Sequence, residues 1–302
     1  MTTRAVIDIG SNSLLLLIGE VDGRGAVTVQ EDRATVTRMS RGASETGHLD
    51  PDAVARTLET LERYRARIDE VGAQLVVAAA TEGVRMASDA GDFLARAGAV
   101  LGTTVRVLSG DEEAALSYRS VAREAPDEPL CVLDVGGAST EVALGQGLKI
   151  EHVQSLSVGS VRLTEAHLRG DPPASKELDA LTEAVDEAVA LLPPVTVPRI
   201  HGLAGTITTL AAVALGLDRY DREAVDNTRL SRQSVVALRD ELAQETVAAR
   251  VRRPCLPPGR ADVIVAGLTI VDGVMRRLGA EELVCRDRGH RYALLAEAGE
   301  RS

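Results

Sequence analysis

The sequence predicts an α/β protein made of two similar domains that face each other across a cleft. The chain has 302 residues, a length typical of about two domains of roughly 100–200 residues each. Segments with strand periodicity alternate with segments of helical periodicity, which is the pattern of an α/β fold. One segment of the first half also recurs in the second half. We therefore place the domains at residues 1–125 and 126–302.

The repeat relates AVIDIGSNSLLLLIG (Ala5–Gly19) to CVLDVGGASTEVALG (Cys131–Gly145). At a constant offset of 126 residues, five positions carry the same residue: Val6 and Val132, Asp8 and Asp134, Gly10 and Gly136, Ser13 and Ser139, Gly19 and Gly145. Each copy has the pattern of a β-hairpin with a polar, glycine-rich turn. No helix follows the turn, which argues against a Rossmann or P-loop site. The repeat predicts a turn in each domain that offers backbone N–H groups to an anion, with an Asp beside it to hold a metal.

The remaining elements of the first half follow from periodicity and turn residues. Apolar residues at helical spacing predict a helix over 51–71, with Pro51 and Asp52 in its first turn. Further helices are predicted at 90–101 and 112–122, the second opened by Ser109. Strands are predicted at 25–31, 35–39, 75–80 and 105–108. The segment 124–129 contains two prolines and predicts a domain linker.

The second half shows the same alternation. Helices are predicted over 159–169, 177–192, 238–250 and 261–278, and a last one starts near Tyr292. Pro193 and Pro194 end the second of these helices. Strands are predicted at 199–203 and 283–285. Between them, a Gly-Thr turn opens a helix within 202–216.

Composition and charge exclude several classes of function. The chain has 34 Lys and Arg against 45 Asp and Glu, a net charge of −11, and argues against a general nucleic-acid or membrane-surface binder. It has no Trp and a single Phe, so a base-stacking platform is not expected. The three cysteines are far apart and fit neither a disulfide framework nor a zinc site. Without a signal pattern or an apolar run of ~18 residues, a cytoplasmic protein is predicted.

Motifs along nearly the whole chain extend this pattern. They are TGHLDPDAVARTLETL (46–61), ATEGVR (80–85), VLSGDEEAALSY (107–118), SLSVGSVRLTE (155–165), AGTITTLAA (204–212), PPGRADVIVAG (257–267) and RDRGHRYALL (286–295). In this order, and with the two hairpins, they resemble the exopolyphosphatase / guanosine pentaphosphate phosphatase (Ppx/GppA) family in its short two-domain form. The resemblance implies two RNase H-like domains of the actin, sugar kinase and Hsp70 superfamily, facing a central cleft.

Carboxylates beside the turns are the candidate metal ligands. Asp134 and Glu141 are seven residues apart on the two strands of the second hairpin, so the hairpin brings them together. Two carboxylates near a phosphate cradle suit Mg²⁺, which keeps several waters and bridges phosphate oxygens. The resemblance implies the same role for both, with Mg²⁺ or another divalent cation as cofactor. It also implies a second-shell or water-mediated metal contact for Asp8.

The candidate phosphate ligands lie in the turns and in two further motifs. Glycine allows a close approach of the backbone, and the hydroxyl and amide groups donate to phosphate oxygens. The resemblance adds Arg85 and the Gly-Thr turn of the second domain. The complete set is Gly10, Ser11, Asn12, Ser13, Arg85, Gly136, Gly137, Ser139, Thr140, Gly205 and Thr206.

Glu113 is the candidate general base. Three acids stand at a predicted helix start, and the helix dipole alone favours acids there, which is sufficient to explain Asp111 and Glu112. For Glu113 the resemblance implies the carboxylate that orients and deprotonates an attacking water. Hydrolysis of a terminal phosphoryl group needs such a base, an in-line water and cations on the developing charge.

The resemblance implies Mg²⁺-dependent hydrolysis of terminal phosphoanhydride bonds of inorganic polyphosphate, of guanosine pentaphosphate, or of both. The implied partners are therefore an anionic phosphate polymer or a guanosine nucleotide, with no nucleic acid and no membrane, and the implied assembly is a homodimer.

Three positions depart from the family pattern: Leu15 replaces a common Arg, Glu82 a Ser and Ala138 a Gly. These departures favour the alternative of a weakly catalytic or non-catalytic sensor of polyphosphate or nucleotide. A sugar or acetate kinase of the same superfamily receives less support. The five histidines show no metal-ligand spacing and are interpreted as structural or surface residues.

Overall fold

Two β-sheets organise the chain, and the computed structural model describes residues 2–23, 25–125 and 128–300. The chain divides into unit 1, formed by Met1–Arg123 and Gly289–Ser302, and unit 2, formed by Glu124–Arg288. The domains proposed from the sequence differ from this division at the C-terminal end. The last helix packs in unit 1, because its apolar side chains cover that unit's sheet. Residues 126 and 127 of the predicted linker lie outside the described residues.

Unit 1 is built on a sheet whose strands are β1 Arg4–Ile9, β2 Ser13–Val21, β3 Val27–Val36, β4 Gln74–Ala80 and β5 Val105–Val107. Within the described residues the strand order is β3-β2-β1-β4-β5. The first three strands form an antiparallel meander, whereas β4 and β5 run parallel to β1. All six residues of β1 are buried, as expected for a central strand that is covered on both faces.

Helices cover both faces of this sheet. They are α1 Ala43–Thr46, α2 Pro51–Glu70, α3 Glu82–Arg85, α4 Ala90–Leu101, α5 Gly110–Ala122 and, from the C-terminal segment, α13 His290–Glu300. Helices α2 and α4 bury the face that contains Ile7 and Leu16. Helices α5 and α13 bury the opposite face, which contains Val6 and Leu17. Because side chains alternate along a strand, Asp8 lies on the same face as Val6 and is therefore directed toward the α5 and α13 layer.

Unit 2 repeats this topology. Its strands are β6 Pro129–Val135, β7 Thr140–Gln146, β8 Lys149–Leu156, β9 Arg199–Leu203, β10 Arg229–Ser231 and β11 Glu282–Cys285. The order β8-β7-β6-β9-β11 matches β3-β2-β1-β4-β5 of unit 1, and the described residues add β10 at one edge. The strand directions also match: β6, β7 and β8 form an antiparallel meander, and β9 and β11 run parallel to β6. The sequence repeat therefore reflects a repeated fold.

The helices of unit 2 pack on its sheet through one apolar core. They are α6 Ser160–His167, α7 Ser175–Val189, α8 Ala204–Ala214, α9 Arg222–Val225, α10 Arg232–Ala243, α11 Val247–Arg250 and α12 Ile264–Arg277. The core joins Leu133 and Ile200 of the sheet to Ile207, Val185 and Val271 of three helices. None of the helices in residues 2–23, 25–125 and 128–300 is both long and apolar enough to cross a bilayer.

Most predicted elements are confirmed within a few residues. The helix at 90–101 and the strand at 199–203 have the predicted bounds. The two strands predicted at 25–31 and 35–39 are replaced by one strand, β3 Val27–Val36, which is half-exposed and tolerates the charged residues in its middle. The predicted helix 238–250 is two helices, because Thr246 caps a new one by accepting a hydrogen bond from Ala249 N. Strand β8 was not predicted.

Candidate functional site

The turns of hairpin 1, formed by β1 and β2, and of hairpin 2, formed by β6 and β7, have the same backbone geometry. The same hydrogen bond closes each turn at 3.0 Å, from Gly10 N to Ser13 O and from Gly136 N to Ser139 O. Glycine is required at the first position of both turns by close approach rather than by an unusual φ. A Cβ atom would lie 2.9 Å from Ser13 O at Gly10 and 3.1 Å from Ser139 O at Gly136. The hairpins are thus equivalent in space as well as in sequence.

The turn of hairpin 2 has backbone N–H groups available for an anion. Helix α6 begins against this turn, where Ser160 N donates to Gly136 O and the next two amides of the helix donate to Gly137 O. The contact is so close that a Cβ at Gly159 would lie 2.4 Å from Gly137 O. The N–H groups of Gly137 and Ala138 donate to no acceptor among the described residues. Since Ala138 does not adopt a positive φ, its methyl group is accommodated in this turn.

The turn of hairpin 1 packs against the ATEGVR motif. Ser40 N donates to Ser11 O, which fixes the segment after β3 to the turn. Helix α3 lies directly above, because a Cβ at Gly83 would be 2.1 Å from both Ser11 Oγ and Ser40 Oγ. The motif and the turn, which are 70 residues apart along the chain, therefore form one surface of unit 1. Asn12, at the turn's centre, accepts the amides of the segment after β3 through its carbonyl.

Arg85 of this motif is held by two partners within unit 1. Its Nη2 lies 3.2 Å from Oε2 of Glu82, and its Nη1 donates to the carbonyl of Leu108. Glu82 is buried, and its charge is balanced by the Arg85 guanidinium. The repulsion of substrate that an acid at this position would cause is therefore reduced. The same pairing occupies part of the fork that was expected to bind phosphate.

Hairpin 2 brings the two candidate metal ligands together. Asp134 and Glu141 lie directly opposite each other on β6 and β7, and they are only 5% and 1% exposed. Directly opposed like charges destabilise a sheet, and burial increases the cost. A cation between or beside the two carboxylates would offset this repulsion. The arrangement thus fits the predicted divalent metal.

Ser155 continues this row of side chains and was not predicted as a site residue. It lies opposite Glu141 on β8, and its Oγ donates to Glu141 Oε1 at 2.8 Å. The hydroxyl therefore fixes the rotamer of a candidate metal ligand. No sequence signal short of a correct β8 register could have identified it.

Hairpin 1 carries the same row without the second carboxylate. Asp8 lies opposite Leu15, the residue that is equivalent to Glu141 in hairpin 2. Oδ2 of Asp8 lies 3.1 Å from Nε2 of His290 at the start of α13. Oδ1 of Asp8 is buried and has no hydrogen-bond partner among the described residues. Hairpin 1 is thus built for a single carboxylate.

The hydroxyl of Thr140 donates a hydrogen bond within the protein, contrary to its expected role as a donor to phosphate. Thr140 is fully buried, and its Oγ1 donates to Val158 O at 2.6 Å. The bond ties the start of β7 to the loop before α6. Ser139, the neighbouring candidate, is also buried and is engaged through its carbonyl in closing the turn.

Glu113 lies in the first turn of α5, behind a capping box. Ser109 Oγ accepts from Glu112 N, and the Glu112 carboxylate accepts from Ser109 N. These hydrogen bonds and the Arg106 guanidinium hold the pKa of Glu112 below its ordinary value. Glu112 is therefore a structural cap, whereas Glu113 is buried and sits on the helix that covers the Asp8 face of the sheet. The structure shows the capping role of Glu112, and the role of Glu113 as general base stays a prediction.

The Gly-Thr turn of unit 2 supports a guanidinium group. Ala204, the first residue of α8, has φ +67°, a conformation that costs an Ala about 1–2 kcal/mol. At Gly205 a Cβ atom would lie 1.3 Å from Nη1 of Arg260, so the guanidinium rests directly on this glycine. No carboxylate of the described residues lies within salt-bridge distance of Arg260. Burial lowers the pKa of this guanidinium, while the negative charge of Asp287 acts in the opposite direction. A partly buried guanidinium beside a helix N-terminus is suited to bind an anion.

The described residues contain no group of three or more His, Cys, Asp or Glu side chains that could hold a metal ion. The candidate metal ligands are instead the pair on hairpin 2, with Asp8 in unit 1. A pair of carboxylates is the usual protein contribution where Mg²⁺ also binds substrate phosphates and water.

Comparison with known proteins agrees with the resemblance. Residues 17–300 match the Ppx/GppA phosphatase family. The chain belongs to this family. Exopolyphosphatase 2 of Mycobacterium tuberculosis is 33% identical over 292 residues, which cover 92% of this chain and 91% of that protein. Guanosine-5′-triphosphate,3′-diphosphate pyrophosphatase of Vibrio cholerae is 29% identical over 307 residues, and this chain spans only 58% of its length.

A solved Ppx/GppA structure shows the same architecture. The family member from Aquifex aeolicus superposes with a TM-score of 0.83 at 32% identity, covering 98% of this chain and 97% of that chain. The actin-like, two-domain α/β fold expected of this Ppx/GppA family member is therefore confirmed.

Proposed function

We propose that the protein hydrolyses the terminal phosphoanhydride bond of inorganic polyphosphate, with a divalent cation as cofactor. The observation that carries the proposal is the buried, directly opposed pair Asp134 and Glu141 beside a turn with available N–H groups. A catalyst of phosphoryl transfer needs a cation, a cradle for phosphate oxygens and a base for water. The name of the M. tuberculosis relative, which this chain matches over 91% of its length, supports polyphosphate as the substrate class.

Mg²⁺ fits the donor set of hairpin 2. Asp134 and Glu141 would hold the ion, and Asp8 of unit 1 remains a candidate oxygen donor to a cation or to its water. Hard oxygen ligands and a small number of carboxylates are what Mg²⁺ prefers. When bound, the ion would neutralise charge that develops on the phosphate oxygens.

Turn amides and Arg260 would bind the phosphate groups. The N–H groups of Gly137 and Ala138 supply neutral donors, and Arg260 on Gly205 supplies a fork that can bind phosphate in a bidentate manner. This combination provides a reason why the chain can bind a polyanion although position 15 is Leu.

Glu113 would act as the general base. Its carboxylate would accept the proton of the attacking water, whose oxygen bonds to the terminal phosphorus while the bridging oxygen leaves with the shortened chain. The capping box of Glu112 fixes the first turn of α5 and thereby the position of Glu113. A base within hydrogen-bond reach of water contributes typically 10²–10⁴-fold to the rate.

The test is a phosphate-release panel with purified protein, using long polyphosphate, tripolyphosphate, guanosine pentaphosphate and ATP with and without Mg²⁺. We expect release from polyphosphate that requires the cation. Glu113→Gln should lower turnover at least 100-fold with an unchanged melting temperature, and Asp111→Asn, an exposed acid of the same helix turn, is the matched control that should retain turnover. Retained turnover in Glu113→Gln would contradict the assigned base.

A sensor is the second candidate, because Leu15 faces Asp8 in hairpin 1 and brings no charge to that turn. Calorimetric binding of polyphosphate without phosphate release in any arm of the panel would favour it. Release of the γ-phosphate of guanosine pentaphosphate, in preference to polyphosphate, would instead move the substrate class toward that of the V. cholerae relative.

We further propose a homodimer that works in the cytoplasm. The thiols of Cys131, Cys255 and Cys285 are free, which fits a reducing compartment. Light scattering during gel filtration tests the assembly, and a mass of one chain would contradict it.

A further inference from the structure

We propose that His290 is a positioning residue, which fixes the carboxylate of Asp8 so that its second oxygen is presented to a divalent cation or to a cation-bound water. The inference rests on the proposed function, since it assigns a partner to a residue proposed to serve the divalent cofactor. It also changes the sequence-based interpretation of His290 as a structural or surface residue.

The first observation is the contact itself. Nε2 of His290 lies 3.1 Å from Oδ2 of Asp8, and both side chains are less than a tenth exposed. Oδ1 of Asp8 has no hydrogen-bond partner among the described residues although it is buried. A buried polar atom left in this way is costly and calls for an ion or water to satisfy it. Holding one oxygen of a carboxylate fixes the direction of the other.

The second observation is that the start of α13 is anchored independently of Asp8. The next residue, Arg291, donates from Nε and Nη2 to the two carboxylate oxygens of Asp32 on β3, at 3.2 and 2.8 Å. Tyr292 donates its hydroxyl to the same carboxylate at 2.7 Å. Three donors on one carboxylate fix the first turn of the helix against the sheet. The imidazole of His290 is therefore placed by the fold and not by Asp8 alone.

The third observation is the direction of β1. Asp8 shares its face with Val6, which packs with Tyr292 and Leu295 of α13 in one apolar cluster. The side chain of Asp8 continues this packed row to the end of the strand, where the helix begins. A helix returning from the far end of the chain thus completes the environment of a residue near its beginning.

The experiment measures Mn²⁺ binding by electron paramagnetic resonance, which detects the free ion and needs no substrate. Because the contact is made through Nε2, Gln places its amide nitrogen near that atom, whereas Asn places it near Nδ1. We expect His290→Ala and His290→Asn to weaken Mn²⁺ binding about 10-fold or more, and His290→Gln to stay within about 3-fold of the wild type. The Mg²⁺ concentration for half-maximal phosphate release should shift in the same order, with turnover at saturating Mg²⁺ changed less.

Equal Mn²⁺ affinity in the wild type and His290→Ala would overturn the inference, as would equal losses in the Asn and Gln variants, which indicate a purely structural role. A wild-type protein that binds no Mn²⁺ would also overturn it. Failure of the proposed function looks different, because the wild type would then bind Mn²⁺ and release no phosphate from any substrate. Melting temperatures of the three variants control for folding, and the Asn and Gln pair remains decisive if His290→Ala does not fold.

Discussion

Gly205→Ala tests whether Arg260 binds phosphate without changing any charged residue. The new methyl group would lie 1.3 Å from Nη1 and 2.0 Å from Cζ of the Arg260 guanidinium. The obstructing atoms are the end of a flexible side chain, so the guanidinium moves and the backbone of α8 stays. Ala is favoured over Gly inside a helix by about 1 kcal/mol, so we expect no loss of stability.

The size of the effect follows from the distances. An ordinary contact begins near 3.4 Å, so Nη1 must move by about 2 Å, which exceeds the tolerance of a hydrogen bond of 2.7–3.2 Å. A hydrogen bond to a charged partner is worth about 1.5–3 kcal/mol. At about 1.4 kcal/mol per tenfold, the affinity for polyphosphate should fall about 10- to 150-fold.

The assay is phosphate release as a function of polyphosphate concentration, with calorimetric binding to the Glu113→Gln background as a second measurement. Arg260→Ala should show the same loss, and the double variant should lose no more than either single one, because both remove the same interaction. Gly91→Ala is the matched control, since a Cβ there meets nothing within 4 Å. A wild-type KM in Gly205→Ala would refute the phosphate contact of Arg260.

Two further predictions concern acids that neighbouring groups hold in place. Ser155→Ala removes the hydroxyl that donates to Glu141 Oε1 and should raise the Mg²⁺ concentration for half-maximal phosphate release about 10-fold at similar maximal turnover. Ser157→Ala, at an exposed position of the same segment, is the control. Identical dependence of phosphate release on Mg²⁺ in Ser155→Ala and the wild type would contradict the prediction. Glu112→Gln should reduce stability at pH 7, and the difference from the wild type should shrink as the pH falls through the lowered pKa of Glu112, since a carboxyl with a lowered pKa stabilises the fold only while it is ionised. Urea unfolding as a function of pH measures it, and a difference that does not change with pH would show that the cap acts through shape and not charge.

The elements that the sequence predicted best are those with strong local signals. Helix α2 begins at Pro51 behind an Asp50 cap and carries a regular apolar stripe, so its bounds were predicted to within one residue. Strand β8 was missed because its residues alternate weakly and lie at a sheet edge, where exposure permits Lys149 and Glu151. Prediction from periodicity fails where burial on one side no longer constrains the side chains.

The candidate site divides in the same way. The paired Asp134 and Glu141 were predictable because one hairpin contains both, and a hairpin register follows from the turn. Ser155 depends on the register of the missed strand, and His290 depends on a helix that returns to unit 1 across more than 280 residues of chain. Nothing in the sequence distinguishes Arg260 from the other arginines of the chain. Long-range packing, which no local pattern encodes, determines these three.

Several arginines that could have replaced the missing charge at Leu15 are paired with acids of their own unit. Within unit 2, Arg286 is paired with Glu124 and Asp226, and Arg288 also pairs with Glu124. In unit 1, Glu82 engages Arg85. These arginines form ion pairs within the protein, so an arginine-rich composition alone is no evidence for phosphate binding.

Arg260 differs from them, because it rests on the glycine of a predicted phosphate turn and no described carboxylate is close enough to pair with it. Its guanidinium is partly buried, and a phosphate group can satisfy it with a bidentate contact. A polyanion can therefore be bound by a chain of net charge −11 if its affinity depends on a few partly buried donors and not on the overall field. On this reasoning the loss of charge at position 15 weakens one contact and leaves the chemistry of hairpin 2 intact.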